Sequence, residues 1–139
     1  MKYYYEEKIK KLSHECPPIH YEGKSRICFR WVFEKIENEE NFKAQADKKP
    51  SIINSKEDKK ICDYYALSFH DTLENSRNAF EFLENIVKNA RKRLGSHIAK
   101  GRIDHSDGVA EEPDDNGHFN LHPSQENNFG EKFVILEEL

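Results

Sequence analysis

"CDYYALSFHDTLENSRNAFEFLENIVKNARKRLG", residues 62–95, changes its hydrophobic period partway along. From Cys62 to His70 it alternates. Tyr65, Leu67 and Phe69 fall on one face, and Tyr64, Ala66, Ser68 and His70 on the other. Period two with aromatic residues predicts a strand. From Leu73 onward, Leu73, Ser76, Phe80, Leu83, Val87, Ala90 and Leu94 recur at spacings of three and four, which is one face of a helix. Asp71 and Glu74 have the D-x-x-E spacing of a capping box. Lys88, Arg91, Lys92 and Arg93 suit the negative end of the helix dipole, and Gly95 suits the position after the last turn. The pattern predicts a helix over Thr72–Leu94, fed directly by a strand.

The same reading extends to both sides. "RICFRWVFE", Arg26 to Glu34, alternates with Ile27, Phe29, Trp31 and Phe33 on one face and Arg26, Cys28, Arg30 and Val32 on the other. His97–Asp104, His118–His122 and Glu131–Glu138 are three further strand candidates. Lys35–Lys60 is polar without a sustained period and is expected to be largely a mobile connection. The turn-rich stretch near 105–117 is expected to be a solvated loop. Together these predict a single α+β domain: a mainly antiparallel sheet of about five strands with one dominant amphipathic helix.

Composition narrows the function classes. The 139 residues carry 22 basic and 26 acidic side chains, a net charge of −4. That balance argues against a general nucleic-acid binder. No run of about 18 apolar residues is present, which excludes a membrane-spanning helix of the usual kind. The opening "MKYYYEEKIKKL" is too charged for a signal-peptide core, so a cytoplasmic location is expected. Cys16, Cys28 and Cys62 are an odd number without a C-x-x-C pair, and the expectation is three inert thiols rather than a disulfide framework or zinc knuckle.

Three chemistries compete. A metal would have to use His105 with Asp104 and Asp107, or His118 with His122. The last two lie roughly 13 Å apart on an extended strand, at about 3.3 Å per residue, too far for one zinc ion, so no metal is expected. "HDT" at 70–72 and "HPS" at 122–124 resemble the paired motifs of two-histidine phosphoesterases, which would make the protein a phosphodiesterase or RNA-processing enzyme.

The order of elements offers another likeness. An arginine sits on an early strand in "CFRWV", the strand "YYALSFHDT" carries a hydroxyl residue and runs into a helix, and the chain ends on acidic "ILEEL". That order resembles the ADP-ribosyltransferase superfamily. The resemblance implies a domain binding NAD or another phosphate-bearing ligand. Arg30 would hold a phosphate, with Ser68 and His70 beside it. The late glutamate would be Glu137 or Glu138, or Glu111 or Glu112 in the loop. His118 and Asn120 would form a wall of the site. If the helix covers the apolar face of both strands, Arg30, Ser68 and His70 emerge together on the other, beneath a lid formed by residues 105–117. The alternative from a different class is a non-enzymatic regulatory or protein-interaction domain. Its basic run "KNARKRLGSHIAK" is the natural contact for an acidic partner.

Overall fold

The computed structural model describes residues 1–139. In chain order the elements are α1 (Glu6–Ile9), β1 (Arg26–Val32), α2 (Gln45–Lys48), α3 (Asp58–Tyr64), β2 (Leu67–His70), α4 (Leu73–Glu84), α5 (Ala90–Arg93), β3 (His97–Ile103), β4 (Gly108–Ala110), β5 (His118–Pro123), α6 (Phe129–Lys132) and β6 (Phe133–Glu138). The strands form one six-stranded sheet in the order β4-β5-β2-β1-β3-β6, antiparallel throughout. The fold is therefore α+β with one main helix, the 12-residue α4. No helix is long and apolar enough to cross a membrane.

Register decides which side chains share a face. Phe29 pairs with His70, Arg30 with Ala99, Leu67 with Leu121 and Phe69 with Phe119. One face therefore carries Cys28, Arg30, Val32, Leu67, Phe69, Ala99, Phe119 and Leu121. All of these except Arg30 belong to the hydrophobic core, together with Tyr5, Ile9, Ala44, Ala46, Phe129 and Phe133. Phe69 stands at its centre, with ring centroids 5.6 Å from Phe119, 5.9 Å from Phe129 and 5.8 Å from Phe133. Each fully buried phenyl contributes about 1.5–3 kcal/mol by leaving water. α1, α2 and α6 cover this face.

α4 lies against the opposite face. Phe80 meets Trp31 edge-on at 5.2 Å, and the Trp31 indole N–H donates to the Ser76 carbonyl at 3.2 Å. Thr72 caps the helix, its Oγ1 accepting from the Asn75 amide. The helix ends at Glu84, earlier than the periodicity predicts. Ile86 and Val87 form a turn on the Leu83 carbonyl, and Asn89 adopts a left-handed φ of 58° before α5 resumes the periodic face. None of the seven periodic residues is exposed, so the face was read correctly and the continuity was not.

Four other expectations are corrected. Cys62–Tyr64 is the end of α3 rather than strand, because the two helical turns before β2 bring Cys62 to buried ground. Residues 35–60 carry short helical turns, including α2 and the start of α3, and the first of them is anchored by Asn41, which is buried. Its Oδ1 accepts from the Phe33 amide, and its Nδ2 donates to the carbonyls of Lys35 and Ile36. The stretch 105–117 contains an edge strand, β4, whose backbone is satisfied by β5 and by Glu22, so it is not a lid. Cys16 and Cys62 form a disulfide across a sequence separation of 46, and only Cys28 is a free, buried thiol, its pKa pushed up to about 12 by burial.

Candidate functional site

β2 and β5 bring four of the expected residues together. Ser68 pairs with Asn120 and His70 with His118, so all four side chains project from the α4 face. His118 Nε2 lies 3.0 Å from Ser68 Oγ. In the tautomer protonated at Nδ1, His118 accepts the hydroxyl proton, the relationship of a general base to an alcohol. Both residues are half-buried and remain reachable from solvent.

Local structure holds this pair. Asp114 Oδ1 accepts from the backbone amides of Asn116 and His118, which closes the turn before β5. Gly117 takes a φ of +78°, a region where a side chain is strained. Its carbonyl accepts from the Asp71 amide at 2.9 Å. Asp71 Oδ1 in turn accepts from Asn75 Nδ2 in α4. The strand end, the turn and the helix start are thus tied at one corner.

His70 is the buried member, 5% exposed, with Trp31 5.3 Å away on one side and His118 5.7 Å on the other. Burial pushes its pKa down to about 4, helped by His118 and opposed by Asp71 and Asp114. It is therefore a neutral imidazole at pH 7. At the other end of the cluster, Glu111 Oε2 accepts from the Asn120 amide at 2.8 Å. Glu111 also borders a hollow of about 320 Å³ lined with His20, Glu22, Lys24, Ala110 and Glu112. A larger hollow of about 550 Å³ lies away from the cluster, beside Phe33, Lys35 and Ser96.

Arg30 does not join the cluster. Its guanidinium lies on the core face, over the rings of Phe69 and Phe42 at 5.6 and 5.9 Å. It donates to the carbonyls of Asn41 at 2.8 Å, Ser68 at 2.9 Å and Lys43 at 3.4 Å. Thus it touches Ser68 only through the backbone, from the opposite side of the sheet. Burial lowers its pKa to about 10, so it stays a cation at pH 7. Pairing the two strands by their apolar faces predicts Arg30 beside Ser68 and His70. The observed register instead sets Arg30 beside Phe69 and Trp31 beside Ser68 and His70.

Glu137 is also apart. It sits on edge strand β6 and holds Arg77 of α4 by two hydrogen bonds, 2.8 and 2.5 Å. The carboxylate linked to the cluster is Glu111. Of the histidines weighed for metal binding, His118 is engaged with Ser68. Asp104 and Asp107 both accept from Lys132, and Lys132 is the largest reason the Asp104 pKa is held well below the carboxylate range. His122, at the far end of β5, contacts the Cys16–Cys62 disulfide. Trp31 was missed as a site neighbour, because its place beside His70 depends on register. Compared with family models, curated proteins and solved structures, the chain matches none.

Proposed function

We propose that this is an ADP-ribosyltransferase-like domain, which binds NAD or another phosphate-bearing nucleotide on the face of Ser68, His70, His118 and Asn120. The observation that carries this reading is the 3.0 Å contact between Ser68 Oγ and His118 Nε2 on a reachable sheet face. Transfer of a ribosyl group needs a base for the attacking hydroxyl and a negative charge near the oxocarbenium-like carbon. In this reading His118 takes the first task, and Glu111, tied to Asn120, the second. The half-exposed Trp31 ring, backed by neutral His70, supplies an aromatic surface for a base. Arg30 has no part in the reading, and phosphate recognition falls to the side-chain amide of Asn120.

The test is thermal stability against NAD, other nucleotides, divalent metals and short RNA. A ligand that binds only the native state raises stability by RT ln(1 + [L]/Kd). NAD or a related nucleotide is expected to raise the melting temperature, and Ser68→Ala and His118→Ala to remove the response. No response to any nucleotide, or an unchanged response in both variants, defeats the reading. A protein-interaction role has its own support in Phe82 and Ile86, 67% and 66% exposed on the outer side of α4 and its following turn. It predicts that Phe82→Ser and Ile86→Ser abolish partner binding while leaving any nucleotide response intact.

A further inference from the structure

Away from that cluster, three soft donors from three elements converge. Cys16 comes from the segment before β1, Cys62 from α3, and His122 from the end of β5. Their ligand atoms all lie within 4.8 Å of one another. His122 Nε2 is 3.5 Å from Cys62 Sγ and 3.9 Å from Cys16 Sγ, and His122 and Cys62 are each only 1% exposed. A disulfide sulfur is a poor hydrogen-bond partner, so the histidine gains little from this position as a donor. We propose that, once the Cys16–Cys62 disulfide is reduced, Cys16, Cys62 and His122 bind a thiophilic divalent cation, zinc in the first instance, and that the disulfide is the closed form of this site.

The geometry is close to what a tetrahedral ion requires. With Zn–S near 2.3 Å and Zn–N near 2.0–2.1 Å, tetrahedral angles place sulfur and nitrogen about 3.5–3.6 Å apart and two sulfurs about 3.8 Å apart. The two sulfur–nitrogen separations already stand at 3.5 and 3.9 Å. Opening the sulfur–sulfur bond is the principal change needed. Charge also balances: two thiolates neutralise a divalent cation, so the buried assembly carries no net charge, which low-polarity surroundings favour. Cys16, the half-exposed member, marks the entry side, and the fourth corner is left for water or an exogenous ligand.

Two steps complete the exchange. A dithiol reductant delivers two electrons and two protons to the disulfide, giving two thiols, and itself becomes a disulfide. The cation then displaces both thiol protons, which leave to solvent. The proposal does not depend on the nucleotide reading, because His118 and His122 are separated by roughly 13 Å of strand at about 3.3 Å per residue.

The experiment uses the full chain reduced with a phosphine and titrated with Co²⁺ and then Zn²⁺. One equivalent of Co²⁺ is expected to bind, with thiolate charge-transfer and intense visible bands of tetrahedral coordination, and Zn²⁺ is expected to displace it. The oxidised chain, identical in sequence, is expected to bind neither. His122→Ala and Cys62→Ser are each expected to weaken Co²⁺ binding at least about tenfold, and Zn²⁺ to slow alkylation of Cys16. No binding by the reduced chain, equal binding by the oxidised chain, or undiminished binding in folded variants overturns the proposal. If the variants fail to fold, the reduced and oxidised forms of the natural sequence decide it alone.

Discussion

Arg30 is a cation enclosed by aromatic rings and backbone carbonyls, and no carboxylate shares its pocket among the contacts it makes. Its three acceptors belong to β2 and to the segment after β1, so one side chain fastens that segment to the sheet. Removing it leaves a cavity between Phe42 and Phe69 and deprives the three carbonyls of their donor. Hydrogen bonds from a charged donor are worth about 1.5–3 kcal/mol each, and a core truncation adds a cavity cost. Arg30→Ala is therefore expected to lower unfolding stability by about 3–5 kcal/mol in urea denaturation. A loss within about 0.5 kcal/mol of zero, the range of an ordinary surface substitution, contradicts this structural role. Alternation along "RICFRWVFE" correctly separated Arg30 from Phe29 and Trp31. Its destination on the core face was not legible, because alternation within one strand carries no information about which face of the next strand it joins.

At the scale of elements, α4 tests how a periodic face translates into energy. Phe80 is 2% exposed and packs on Trp31 and near the guanidinium of Arg91. Ser76 is fully buried on the same face, and its hydroxyl has no hydrogen-bond partner. Its carbonyl, which serves Trp31, is unaffected by a change of side chain. Phe80→Ala is expected to cost about 3–5 kcal/mol. Ser76→Ala is expected to be neutral or stabilising by up to about 1 kcal/mol, since it removes a buried unpaired hydroxyl and improves helix propensity. Paired thermal melts check both, and a Ser76→Ala variant destabilised by more than about 1 kcal/mol counts against the packing described. The edges of the sheet are handled differently. β4 is only three residues long, which limits pairing with another chain. β6 exposes Val134 and Leu136 but ends in Glu137 and Glu138.

Across the whole molecule, the two sheet faces differ in their pH response. The titratable groups of the aromatic core, the Cys28 thiol and the Tyr5 and Tyr65 hydroxyls, have raised pKa values and stay neutral through the acid range, whereas the opposite face holds His70, whose folded pKa is depressed to about 4. The unfolded chain takes up this proton below about pH 6.5, and the native chain only below about pH 4. Between those limits the unfolded state binds more protons, so stability falls as pH falls. His70 contributes a slope of at most about 1.4 kcal/mol per pH unit in that window. His122, also depressed to about 4 by burial, acts in the same direction. Denaturation midpoints between pH 7 and pH 4 are expected to decline less steeply in His70→Phe than in the parent. Parallel curves show that His70 is not held neutral.

Period two and period 3.6 are local properties of a chain, so the kind of the main elements was legible from the residues alone. The pattern located β1, β3, β5 and β6 to within a few residues, the buried face of α4, and the α+β class. It also placed Ser68, His70, His118 and Asn120 among the candidates, since polar residues alternating with Phe and Leu stand out within a strand. Three features depended on tertiary structure. Register set Arg30 on the core face and Trp31 beside His70. Cover from α1, α2 and α6 made the Phe69 face the main core, leaving α4 to cover the face of the polar cluster. Chain return brought Cys16, Cys62 and His122 within reach of one another. Each is a relation between residues tens of positions apart, and such relations are settled by which faces can be buried together, not by the pattern of any one segment.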